Sequence, residues 1–452
     1  MTTQFNPGLL LLARQYRRTS QTDLARAAEV NQGHYSRIEN GLTAEDPAAD
    51  VVERIARALR FPAAFFYQQD GLTGLPLSVH PMNRKKASVA EGALRQVHAE
   101  LNIRLIHLRR YMRAIEIEPE LPLPHIDVEE GGGPQEIARK IRRAWSIPDG
   151  PIDNLTNYCE RAGILVIECE FDAPIDGVTM LVRDLPPAIF LNRKVPADRA
   201  RFSLAHELGH VVMHRVPTDT IEEEAHAFAG ELLVPEKSFR RSLLGQRLTL
   251  EWLARQKAFW RVSMQFLLYR AGALDLVTRH QTEYLWKRIS ALGWRTREPE
   301  ETDIPPERPT VFPRLVRHHS ETLGYGIDEL KTLLNVDPDD IRQLYGAHLG
   351  KRRLYAVKYR EDHLTHDHTD HGKWSEAGVP KKGWNCIGID DLEEPSQTCE
   401  MCGTAEIRYV HYMQHPDYPE ELAVGYICAE NMEQDYVRPR EREKRLRTLA
   451  RP

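Results

Sequence analysis

No run of about 18 apolar residues occurs anywhere in this 452-residue chain, so a membrane-spanning helix is not expected. The start likewise lacks a basic stretch leading into an apolar core, which argues against a secretory leader. Net charge is scarce, only -5 at pH 7. There is thus no global field to gather nucleic acid, and a DNA partner would have to be met by a local face. No internal repeat is visible, and cysteines number only six. With 41% hydrophobic and 28% charged residues, the composition is that of a cytoplasmic protein of roughly two to four globular domains.

What is present begins with residues 206–214, His-Glu-Leu-Gly-His-Val-Val-Met-His, in a Pro-free segment of helix-forming spacing from Arg201 to Val216. On a helix His206 and His210 are i and i+4, so both imidazoles project from one face and can grip a single Zn²⁺. Glu207 then sits beside the open coordination position as general base. His214 continues that face at i+8 and reads as a supporting or capping group. A third ligand is needed, and the run from Ile221 to Pro235 opens with three glutamates. Glu222 and Glu224 are both suitable, but two positions along a helix turn a side chain by about 200°, so only one can face the ion.

Arg201-Phe202-Ser203-Leu204-Ala205 before the motif, and Ala225-His226-Ala227-Phe228-Ala229 through Leu232-Leu233-Val234-Pro235 after it, carry a resemblance. They resemble the ImmA/IrrE family of metallo-endopeptidases, whose second metal-site helix reads Glu-x-x-Ala-Asn-x-Phe-Ala and ends in Leu-Leu-Met-Pro. The resemblance implies Glu222 as third ligand, with Glu224 as the alternative, and a catalytic Zn²⁺ for which Mn²⁺ can substitute. It also implies an α+β zincin-like domain over 135–300 and hydrolysis of a peptide bond. His226 stands where the family has Asn or Asp. Strand-like runs at 163–171 and 188–192 precede the motif, and Asp176 to Val182 is a candidate edge strand for a substrate's extended backbone.

At the other end, Gln21 to Val30 and Asn31 to Gly41 read as two short helices joined by a turn, the second ended by glycine. With Leu24, Val30, Ile38, Val52, Ile55 and Leu59 as apolar positions, the stretch 1–70 resembles an all-α helix-turn-helix of the Xre or phage-repressor type. Its second helix would enter the major groove of an operator, with Gln32, Gly33, His34 and Arg37 towards base edges and Ser36 and Gln21 nearer phosphate. Residues 1–70 hold eight Arg, no Lys and eight acidic residues, so attraction to DNA is expected from a face such as Arg14, Arg17, Arg18 and Arg37. A homodimer presenting two such helices is expected.

Between and beyond lie a linker and helix at 71–134, a helical extension at 301–350, and a small β-rich, zinc-ribbon-like module at 351–452. Cys399-Glu-Met-Cys402 is a tight metal knuckle, and Cys428 makes a third thiolate for a structural Zn²⁺. Cys386 or His415 is the candidate fourth ligand. The segment from Asp362 to His371, rich in His and Asp, reads as a solvated loop, and Arg438 to Arg447 as a charged helix.

The combination implies a multidomain DNA-binding transcriptional regulator carrying its own zinc metallo-endopeptidase. Cleavage of itself or of a partner repressor would relieve repression in a stress, phage-related or mobile-element response. The alternative is a non-catalytic transcription factor or antitoxin whose peptidase-like cleft senses a ligand or toxin. Glu207 argues against it, because a sensor has no use for a general base.

Overall fold

The computed structural model describes residues 4–69, 74, 91–172, 174–216, 218–349, 372–392, 394–403, 406–433 and 439. They fall into two compact units divided between Arg352 and Arg353. The linker from Gly71 to Pro81 apart from Gly74, the His/Asp segment 362–371 and the basic tail 438–447 apart from Pro439 lie outside the described residues.

The first unit opens with α1 (Pro7–Tyr16), α2 (Gln21–Ala27), α3 (Gln32–Glu39) and α4 (Ala49–Leu59). Short polar side chains set the helix starts. Ser20 Oγ accepts from the Asp23 amide, and Asn31 Oδ1 accepts from the amides of Gly33 and His34. These bonds satisfy donors that a first helical turn leaves without partners. Leu24, Ala25, Ile38, Val52, Ile55 and Leu59 are buried together, and Val30 packs against them. The helix-turn-helix is therefore present where the apolar spacing placed it.

After α5 (Glu91–Met112), α6 (Val128–Gly131), α7 (Pro134–Ala144) and α8 (Leu155–Arg161) come three strands, β1 (Leu165–Cys169), β2 (Gly177–Met180) and β3 (Ala188–Asn192). Central β3 runs parallel to β1, with Ile167 opposite Phe190, and antiparallel to β2, with Thr179 opposite Ile189. Among the described residues β2 is thus an edge strand. Every residue of β2 and β3 is buried. That explains their largely apolar character, broken by Thr179 and Asn192, since both faces of the sheet are covered.

The two faces belong to different cores. Leu165, Ile167, Val178 and Phe190 share one with α1 to α5 and with α15 (Val311–Arg317), α16 (Ile327–Leu334) and α17 (Pro338–Tyr345). Val166, Ile189 and Leu191 face the other, formed with α7, α8 and the helices that follow β3. The sequence divided this stretch at 70, 134, 300 and 350. In the fold, the helix-turn-helix, α5 and α15 to α17 bury Leu9, Leu105, Phe312 and Ile341 in one common core. Helix α5, read as part of a connector, is a core element.

Following β3 are α9 (Ala197–Met213), α10 (Ile221–Leu233), α11 (Glu236–Leu243), α12 (Leu250–Trp260), α13 (Met264–Ala273) and α14 (Arg279–Ala291). The crossing of α9 and α10 depends on Gly209, where a Cβ would lie 3.2 Å from Ala225 Cα and from the Phe228 ring. No helix among the described residues is long and apolar enough to cross a membrane.

The second unit is β-rich: β4 (Asn385–Asp391), β5 (Gln397–Thr398), β6 (Glu406–Ile407), β7 (Tyr409–His415), β8 (Tyr418–Val424) and α18 (Tyr426–Glu433). The strands form an antiparallel sheet ordered β4-β7-β8 and a separate β5-β6 pair. Trp384, Val410, Met413, Leu422 and Met432 fill its core.

Candidate functional site

Helix α9 carries the histidine pair into the protein interior, with His206 6%, Glu207 3% and His210 0% exposed. Because α10 crosses α9 at Gly209, its first turn brings Glu222 onto both imidazoles. The Nε2 atoms of His206 and His210 are 3.1 Å apart, Glu222 Oε2 is 3.1 Å from His206 Nε2, and Oε1 is 3.5 Å from His210 Nε2. A tetrahedral ion with ligand distances of roughly 2.0–2.1 Å needs donors about 3.3 Å apart, so this set fits Zn²⁺ and leaves a fourth position open. Glu224 is not brought to this set. It reaches His214, farther along α9, instead.

Glu224 thus completes a row that runs from buried His210 and His214 out to exposed Thr220. His210 Nδ1 and His214 Nδ1 are 2.9 Å apart, His214 Nε2 is 2.9 Å from Glu224 Oε2, and Thr220 Oγ1 donates to Glu224 Oε1 at 2.9 Å. One tautomer assignment satisfies the row: His210 donates from Nδ1 to His214, which donates from Nε2 to the carboxylate. That leaves the Nε2 lone pair of His210 directed at Glu222 and His206, as a metal ligand needs. Burial lowers the pKa of His214, against the opposing pull of Glu224. Sequence spacing placed His214 on the right face but could not show that Glu224 would reach it.

Glu207 is held from β2. Thr179 Oγ1 lies 2.7 Å from Glu207 Oε2 and 3.1 Å from its backbone carbonyl. The edge strand at Gly177–Met180 therefore flanks the carboxylate, beside the helix where the sequence located a strand for substrate pairing. Thr179 carried no signal in the sequence, being one polar residue in an apolar run.

His206, Glu207 and Glu222 line a cleft of about 1170 Å³ whose walls include Asp198, Phe202, Glu231, Phe266, Tyr269 and Arg270. Its charges are largely paired: buried Lys257 bridges Asp198 and Glu298 at 2.7 and 2.8 Å, and Glu231 is held by Arg270 and Arg139. His226, one turn after Glu222, is pushed down to about 4 by burial and by the neighbouring His206 and Arg270, and so is neutral at pH 7.

In the second unit the ligand atoms of Cys399, Cys402 and Cys428 lie within 4.8 Å of one another, all three buried. Gly372, with φ +61°, presses on this knuckle so closely that a Cβ would come 2.7 Å from the Cys402 carbonyl carbon. A hydrogen bond from Cys428, with further backbone donors, holds the Cys399 thiol well below its ordinary range against the effect of burial. Neither proposed fourth ligand joins the group among the described residues. Cys386 lies on β4 with its thiol 3.2 Å from the Gly388 carbonyl, and His415 Nδ1 accepts from the Asp417 amide at 3.0 Å. Strand pairing of β4 with β7 holds both of them on the sheet, apart from the knuckle.

On the helix-turn-helix, Gln32, Gly33 and Arg37 are exposed and His34 and Ser36 half-buried. Two expectations change here. Gln21 Nε2 donates to Glu39 Oε2 at 2.6 Å, so this side chain is tied into the domain rather than free for phosphate. The supposed basic face is likewise mostly spent: Arg14 pairs with buried Glu39, Arg17 with buried Asp340, and Arg18 with Asp172. Arginines that looked surplus by count find acids from distant parts of the chain.

Residues 159–271 match the family described as an IrrE N-terminal-like domain, a span that takes in the sheet and both metal-site helices. Residues 9–64 match a helix-turn-helix domain. No curated protein matches the chain. The chain therefore joins a helix-turn-helix domain to an IrrE-like peptidase domain in one polypeptide.

Proposed function

We propose that the protein is a cytoplasmic DNA-binding regulator whose IrrE-like domain is a zinc metallo-endopeptidase, relieving repression by cutting itself or a partner repressor. The observation that carries this reading is the convergence of His206, His210 and Glu222, with His206, Glu222 and Glu207 lining one cleft. Bound Zn²⁺, or Mn²⁺ in its place, would supply Lewis-acid polarisation of a peptide carbonyl and an acidified water. His206, His210 and Glu222 would hold it. Glu207, oriented by Thr179, would take the water's proton and pass it to the departing amine. Edge strand β2 would seat the substrate backbone.

The helix-turn-helix supports an operator as partner, read by Gln32, Gly33, His34, Ser36 and Arg37, with a homodimer spanning two half-sites. The Cys399, Cys402 and Cys428 cluster supports a second, structural Zn²⁺.

The test is incubation of the purified, Zn²⁺-loaded protein alone and with candidate repressors from its own regulon, beside Glu207→Gln. Fragments from wild type, reduced by about 10²- to 10⁴-fold in the variant, support hydrolysis. Equal behaviour of the two proteins, with intact regulation, would instead favour a non-catalytic sensor.

A further inference from the structure

The cleft continues past the histidine pair into an aromatic wall that hydrolysis itself does not use. Phe202 lies one turn before His206 on α9, and His226 one turn after Glu222 on α10, so the crossing that gathers the ligands also brings these rings together. Their centroids are 4.9 Å apart. Phe266 backs Phe202 at 4.8 Å, and Tyr269 meets His226 edge-on at 5.2 Å and 89°. Tyr269 is 51% exposed, so much of its surface is turned to solvent at the cleft. The cleft lining also includes the small residues Ala227, Gly230 and Ala273.

We infer that this wall is the subsite for an aromatic side chain of the polypeptide substrate, adjoining the bond to be cut. The inference rests on the hydrolytic reading and names the substrate class for it. A cleft of about 1170 Å³ leaves room for a large group, and the exposed ring of Tyr269 rewards another ring beyond its area alone. The nearby charges are paired within the protein: Arg270 is committed to Glu231, and Lys257 to Asp198 and Glu298. Against the rings themselves an acidic or basic side chain would lose hydration to apolar surface. His226, which departs from the Asn or Asp of the resembling family, supplies the middle ring.

The test uses the full-length protein loaded with Zn²⁺, titrated calorimetrically with succinyl hydroxamates bearing a benzyl, isobutyl, methyl or carboxymethyl group. The benzyl compound is expected to bind about tenfold tighter than the methyl one, with isobutyl between and carboxymethyl weakest. Tyr269→Ala should cut the benzyl preference to below about threefold while leaving the methyl affinity unchanged, and Tyr269→Phe should retain it. Equal binding of benzyl and methyl compounds, or an undiminished preference in Tyr269→Ala, would overturn the subsite while leaving the metal site standing. Absence of any zinc-dependent hydroxamate binding overturns the hydrolytic reading and the subsite with it.

Discussion

Arg17 and Asp340, 323 positions apart in the chain, are joined by two hydrogen bonds, Nη1 to Oδ1 at 2.8 Å and Nη2 to Oδ2 at 2.5 Å. The same guanidinium caps the end of α4, donating to the carbonyls of Leu59 at 2.7 Å and Arg60 at 3.0 Å. One arginine thus fastens the helix-turn-helix to α17. Asp340 has a side chain only 4% exposed, so Asp340→Ala strands a largely buried cation. A loss of about 2–3 kcal/mol is expected, discounted from a fully buried pair because Arg17 is 21% exposed. Denaturation followed by circular dichroism should show the transition of the first unit moving as a whole to lower denaturant. A first-unit transition that splits in Asp340→Ala, with only one part moved, would show that the helices α1 to α4 fold independently of α15 to α17.

Behind the metal-site pair, His214 acts by positioning rather than by contact with substrate. His214→Ala removes the acceptor for His210 Nδ1 and leaves Glu224 with Thr220 alone. Zn²⁺ affinity, measured by competition with a chromogenic chelator, should fall about 10- to 100-fold, with the Glu224→Ala variant weakened in the same direction. His214→Gln, which can still accept from His210, should recover part of the loss. Unchanged affinity in His214→Ala would remove the row from the account.

What the sequence made legible was local. A histidine pair at i and i+4, a glycine-ended recognition helix and a CxxC knuckle each lie within a few turns of chain, and the side chains converge because helix geometry dictates it. The choice of Glu222 over Glu224 needed the angle between α9 and α10, which Gly209 sets. The tasks of Thr179, Asp340 and Glu39 were hidden for a stronger reason. Each partner is chosen by tertiary packing across many residues, so counting charges suggested free arginines where the fold has paired ones. Cys386 and His415 failed as ligands because strand register, not sequence proximity, decides where they point.

Glu39 gives a pH dependence whose sign follows from its surroundings. Burial alone would raise its pKa, but hydrogen bonds from Arg14, Gln21 and Tyr35 outweigh it, and the net shift is downward from 4.5. Because the folded value lies below the unfolded one, the carboxylate's contribution is fully present above pH about 4.5 and is lost as pH falls through the folded pKa. Stability of the wild-type protein should therefore drop more steeply than that of Glu39→Gln as pH falls below the unfolded value of 4.5 and through the lower folded one. At pH 7 the variant should be the less stable of the two, since Arg14 loses its bidentate partner. Parallel pH profiles would show that Glu39 is not held as an ion in the native state.

Arg37 is the arginine of the expected basic face that stays exposed on α3, and operator binding should single it out. Arg37→Ala should weaken binding to the protein's own promoter about ten- to a hundredfold in a gel shift if it reads a base edge. If it meets phosphate only, the loss should be uniform across sequences and the salt slope should shrink by about one ion. Arg18→Ala offers the contrast, because Arg18 is paired with Asp172, and its removal should leave both affinity and salt slope nearly unchanged. Should Arg18→Ala prove as harmful as Arg37→Ala, the Arg18–Asp172 pair must open on DNA, and the assignment of α3 as the sole reading surface would have to be given up.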